Sequence, residues 1–186
     1  MNRKTYIDHG VKWGIIMGLT IAVIRNSIWL IDSDAAMGDS IFGKIIWWAS
    51  ILIFLTFIVY IGIKARAITG YITANNAFMA LFMAVLVHGV VNLAISTTLI
   101  YVNKDKVETK IAERREEMII KWEESGMSDE KIEDSLVWFD KFSNPMLATI
   151  IAFAAGLAIN TIIALIIAQI VKRPPPPAIA PDVETT

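Results

Sequence analysis

The stretch IIWWASILIFLTFIVYIGI, residues 45–63, holds no charged side chain. A helix needs about 20 successive apolar residues to cross the hydrocarbon of a bilayer, whereas a helix covering a soluble core breaks its apolar stripe with polar positions every turn. Residues 45–63 therefore read as a membrane span. Working outward, three further runs reach the same length, at 13–31, 77–102 and 145–171. The expected fold is all-α: an integral membrane four-helix bundle, with an extramembrane amphipathic helical hairpin between its third and fourth helices.

Composition agrees, with apolar residues at 55% of the chain against roughly 45–50% in soluble domains. A formal net charge of −1 argues against a nucleic-acid partner, which calls for a large positive surplus. The chain has no cysteine, which excludes disulfides, thiolate metal sites, a catalytic thiol and a lipidated cysteine. The first run follows Arg3 and Lys4 as a signal peptide would. It is longer than the roughly 7–15 apolar residues of such peptides and embeds Arg25, so it reads as a retained span.

Three of the four runs carry polar groups in their interior: Arg25 and Asn26, then His88 and Asn92, then Asn160. Reading every fourth residue places them on ridges of small residues, which share one helix face. The first ridge is Gly10, Gly14, Gly18, Ala22, Asn26; the second is Ala80, Ala84, His88, Asn92, Ser96; the third is Ala148, Ala152, Gly156, Asn160, Ala164, Ala168. Small residues let backbones approach closely and gain contact that lipid cannot match. Gly14, Gly18, Ala84, Ala152 and Gly156 are thus the expected packing residues, with spans one, three and four forming a tight core and span two facing lipid. On these ridges His88, Asn92, Asn160 and Asn26 act as interhelical hydrogen-bonding groups, or His88 serves as a proton- or ion-contacting group. Arg25 is expected to snorkel toward Asp32 or Asp34.

Between the third and fourth spans, residues 104–143 read as two amphipathic helices. Val107, Ile111, Met118 and Trp122 share one face, Ser125-Gly126 breaks the first helix, Ser128 caps the second, and Ile132, Leu136 and Phe139 resume the stripe. Trp122, Trp138, Phe139 and Phe142 supply apolar surface for self-packing, for the membrane surface or for a protein partner. Residues 1–173 form one membrane domain, and the proline-rich segment 174–186 reads as a disordered tail. Basic residues in the short loops, Arg3, Lys4, Lys12, Lys64, Arg66, Lys172 and Arg173, put both termini in the cytoplasm, while Lys104, Lys106 and Lys110 pull the other way.

No catalytic or cofactor motif is present. Asp32-Ser33-Asp34 opens like a calcium loop, but Ala36 and Gly43 stand where oxygen ligands belong. His9 and His88 are too few and too far apart for a histidine metal cluster, so no metal is expected.

The order of short motifs resembles domain-of-unknown-function family 4199: Gly62-Ile63-Lys64 closes the second span, Asn75-Asn76-Ala77-Phe78 opens the third, a charged helical loop follows, Asn144-Pro145 opens the fourth, and Lys172-Arg173 ends it. The resemblance implies a four-helix membrane domain in a bacterial inner membrane and supplies no activity. On these grounds the favoured function is a non-enzymatic subunit, scaffold or regulator; the alternative is a small transporter or ion-conducting protein using the mid-membrane polar residues.

Overall fold

The computed structural model describes residues 3–31 and 41–174, and the side chains of these apart from 27–31. The predicted calcium-like stretch, the pairing of Arg25 with Asp32 or Asp34, and residues 175–186 of the predicted tail lie outside that description. Six helices make up the described residues: α1 (Arg3–Ile31), α2 (Ile41–Ala67), α3 (Ala74–Val102), α4 (Lys104–Glu124), α5 (Asp129–Phe142) and α6 (Pro145–Val171). Four of them, α1, α2, α3 and α6, are long and apolar enough to cross a membrane.

Local chemistry fixes the boundaries. Thr73 stands in extended backbone and its hydroxyl accepts from the Asn76 amide, starting α3. Asn144 accepts from the amides of Met146 and Leu147 with Pro145 in the first turn of α6, where a missing N–H costs nothing. Ser128 occupies the cap position of α5 without a side-chain hydrogen bond. The α4–α5 turn uses Gly126 at a φ of 76°, a left-handed conformation that glycine adopts without a Cβ penalty. Helices α1 and α2 extend beyond the apolar runs 13–31 and 45–63 because Lys4, Asp8, Lys12, Lys64 and Arg66 continue the backbone ladder at their ends. Hydropathy marks the apolar stretch, not the length of the helix around it.

Helix α3 is the organising element. Its Ala80 and Ala84 face Gly10 and Gly14 of α1 so closely that a Cβ on Gly14 would lie 2.7 Å from the Ala84 carbonyl oxygen. The next glycine, Gly18, meets Val91 and the backbone of His88. The two helices therefore run parallel, in close backbone contact. On its other side α3 meets α6, with Gly89 under the ring of Phe153. Helices α1 and α6 make no comparable contact with each other.

The expectation that α2 is peripheral is not met. It packs against α1, α3 and α6 and buries Ser50, Phe54, Ile58, Ile61, Gly62 and Ala65. The reason is volume: Ile58 and Ile61 share one buried cluster with Ala80, Ala84, Ala164 and Ala168, so α2 supplies bulk to a core in which its neighbours contribute small residues. Helix α6 is the more exposed span, burying Ala164, Ala168 and Val171 and leaving Ile150, Ile151, Ile159 and Ile162 outward.

The core is continuous at one end of the four long helices, from Tyr6, Met17 and Ile21 through Ile58, Ile61 and Ala65, Ala77 to Val85, and Ala164 to Val171. At this end Ile72, in the α2–α3 connector, and Arg173, just after α6, exchange two backbone hydrogen bonds of 3.0 and 2.9 Å. The Tyr6 hydroxyl lies 3.4 Å from the Thr69 hydroxyl, and His9 Nε2 donates to the Ile61 carbonyl at 3.2 Å. We call this the bridged end. Past Ala22 of α1, His88 of α3 and Ala164 of α6 the described residues of those helices are no longer buried, while α2 still buries Ser50 and Gly43; α4 and α5 lie at this far end. Arg115 pairs with Asp140 at 3.1 Å across those two helices, and Val107 and Ile132 are their buried apolar residues.

Candidate functional site

Toward the far end lies a cleft of about 400 Å³ whose lining includes Arg25, His88, Asn92, Ser96, Phe153 and Asn160. A second cleft of about 330 Å³, on the α2 side, shares Arg25, His88 and Asn160 and adds Trp47, Ser50 and Phe54. These three shared residues come from α1, α3 and α6 and stand where the core ends. Among the described residues no acidic side chain lines either cleft.

His88 is buried at the centre of α3, with Phe54 of α2 packed on its ring at a centroid distance of 5.5 Å. Asn92, one turn on, holds its Nδ2 3.2 Å from the imidazole nitrogens, so the amide donates to whichever ring nitrogen is unprotonated. This bond lies within α3. The expected interhelical network is absent among the described residues: Asn26 Nδ2 donates back to the Ala22 carbonyl at 2.7 Å, and Ser50, Thr149 and Thr161 likewise donate to carbonyls of their own helices. Every buried side-chain polar atom among the described residues has a partner. Polar groups in an apolar surrounding take the nearest acceptor, and in a helix that is the carbonyl four residues back.

Of the five polar residues singled out in the sequence, Arg25, His88, Asn92 and Asn160 converge on one cleft. Asn26 does not; it lines a separate cleft of about 120 Å³ with Ser96, Leu99 and Val107. The predicted packing residues also divide. Gly14, Gly18 and Ala84 are buried in the α1–α3 contact. Ala152 is exposed, Gly156 has nothing within 4 Å of an added Cβ, and both line the larger cleft. The α6 ridge is therefore corrected: its Ala164–Ala168 part packs, and its Ala152–Gly156 part borders space.

Sequence reasoning missed Phe54, Ser50, Phe153 and Gly89. A Gly89 signal was available, since it neighbours His88, but it lies off the four-residue ridge. In α4 and α5, Trp138 and Phe142 stack at 5.8 Å and stay exposed with Lys141 Nζ over the Trp138 ring, whereas Trp122 and Phe139 are half-buried.

An all-α chain with four helices long and apolar enough to cross a membrane, and a polar cleft among them, is compatible with a membrane protein. The chain belongs to the family described as protein of unknown function DUF4199, whose model matches residues 12–173. No curated protein and no solved structure matches it.

Proposed function

We propose that this chain is a non-enzymatic, multi-pass protein of a bacterial inner membrane that admits a small ligand into a cleft between its spans, as a carrier or a ligand-responsive regulator. In this reading residues 1–173 form a four-helix membrane bundle. Both termini are cytoplasmic, because Lys4, Lys64, Arg66 and Arg173 gather at the bridged end. Helices α4 and α5 are then an external hairpin over the far end. The observation that carries the reading is the cleft of about 400 Å³, a volume suited to small ligands. It ends on Arg25, His88 and Asn160, and charged or strongly polar side chains within a membrane mark ligand or ion pathways by default.

The absence of cysteine gives a clean test. Ser96→Cys and Thr149→Cys, both lining the cleft, should react with a water-soluble maleimide added outside sealed vesicles, and Leu81→Cys, fully buried, should not. Protection of all three would remove the reading.

A second reading, a subunit or scaffold, draws on the hairpin. Val137, Trp138 and Phe142 are each at least half exposed, and aromatic groups of this kind anchor protein interfaces. Trp138→Ala should then reduce recovery of a crosslinked partner while the melting temperature holds.

A further inference from the structure

We propose that the exposed face of α5 lies along the bilayer surface, with Trp138 and Phe142 seated in the headgroup layer at the far end. The inference rests on the reading of residues 1–173 as a membrane bundle and is independent of the cleft. Helix α5 has two faces of different standing. One is already covered: Ile132 is buried, Leu136 and Phe139 are half-buried, and Asp140 pairs with Arg115 of α4. The other carries Val137, Trp138 and Phe142, all exposed, with the two rings stacked and Lys141 Nζ 5.3 Å from the centroid of the Trp138 ring. Contiguous exposed apolar surface of this kind marks a contact with a membrane or a partner.

Its place in the chain selects lipid as the cover. Between Lys141 and Lys172 no residue is charged, so the apolar stretch of α6 runs back into the last residue of α5. Helix α6 has 27 residues, about 40 Å at 1.5 Å per residue, against about 30 Å of hydrocarbon. With Lys172 and Arg173 held at the opposite border, Pro145 comes to the far headgroup layer, which is about 5–7 Å deep. Only Ser143 and Asn144 separate the two helices, and Asn144 is in extended backbone, so α5 turns off the axis of α6 at that level. Exposed aromatic rings gather at the same end on other spans, Trp47 and Trp48 of α2 and Tyr101 of α3, and amphipathic rings favour the headgroup zone. Lys141 suits the same place, its stem along an apolar ring and its ammonium free to reach phosphate. Charge does not drive the seating: α5 carries five acids against two lysines, so burial of the rings holds it, and anionic lipid adds nothing.

Because the chain has no cysteine, single cysteines carrying an environment-sensitive fluorophore can report each position in the full chain, reconstituted in phosphatidylcholine vesicles with iodide on both sides. At Val137→Cys and Phe142→Cys emission should shift to the blue, and a nitroxide on the lipid headgroup should quench it more than iodide does. Asp129→Cys is exposed and lies nine residues, about two and a half turns, from Trp138, hence on the opposite side of α5; its label should stay open to iodide. Trp138→Ser with Phe142→Ser should return the Val137→Cys label to the iodide-quenched state while the melting temperature holds, since both rings are exposed. Phosphatidylglycerol in the vesicles, or added salt, should leave the blue shift as it is. Iodide access at Val137→Cys and Phe142→Cys equal to that at Asp129→Cys would overturn the proposal and leave the face to a protein partner. A shift that disappears as the protein is diluted in lipid would overturn it in favour of a second copy, and one that needs phosphatidylglycerol would overturn the seating by aromatic rings. Ile162→Cys, exposed on α6, separates this inference from the reading beneath it. Quenching there by a nitroxide deep in the acyl chains, with iodide access on α5, overturns the seating of α5 alone; iodide access at Ile162→Cys overturns the bundle as well.

Discussion

The bridged end and the far end of the four long helices use the same residue types to opposite effect. At the bridged end, glycine and alanine in α1 and α3 bring two backbones together, and α2 supplies the bulk that fills what remains: Ile58 and Ile61 are fully buried. At the far end, alanine and glycine in α6 face no partner. Gly14 and Gly156 each sit within a ridge of small residues, yet a Cβ added to the first would meet a carbonyl oxygen at 2.7 Å and one added to the second would meet nothing within 4 Å. A small residue is a packing device only where a second helix comes to meet it. Elsewhere the same residue makes room.

This contrast can be broken or sharpened by substitution. The largest effect is expected for Gly14→Leu, which forces a side chain into the Ala84 backbone and should cost about 3 kcal/mol or prevent folding, as seen in a detergent melt. Leu81→Ala, which empties a fully buried site in the packed half, should cost about 2–5 kcal/mol by the same measurement. Gly89→Ala should cost about 1 kcal/mol, because the atom it meets at 2.9 Å belongs to the Phe153 ring, which can turn. Asn92→Ala removes one bond to His88 within α3 and should cost about 0.5–1 kcal/mol. Gly156→Leu should change stability by less than about 0.5 kcal/mol. A cost for Gly156→Leu equal to that for Gly14→Leu would mean that the two halves are packed alike.

The four long apolar helices were legible because hydrocarbon would impose length and apolarity on any crossing helix, and the start of α6 was legible for a local reason, the Asn144-Pro145 cap. The common cleft of His88, Asn92 and Asn160 follows from ridges of period four, which put polar groups on shared faces; Arg25 lies off its ridge, and the expectation that it snorkels toward Asp32 or Asp34 did not point to that cleft. Two further things were not legible. A ridge does not state which other ridge it meets, so Ala152 and Gly156 looked the same as Gly14 and Gly18. The role of α2 was hidden because its apolar residues lie all round the helix, and only the gaps between its neighbours determine that Phe54, Ile58 and Ile61 turn inward. Asn26 was misassigned for a related reason: its amide found a carbonyl on its own helix at 2.7 Å.

The exchange of two peptide hydrogen bonds between Ile72 and Arg173 has a mechanical meaning. It fastens the chain just after α6 to the connector between α2 and α3, and because it uses only main-chain atoms, most side-chain replacements there leave it intact. Any tilt of α6 about that fastening would be smallest beside Arg173 and largest at Asn144, the other end of a helix of 27 residues.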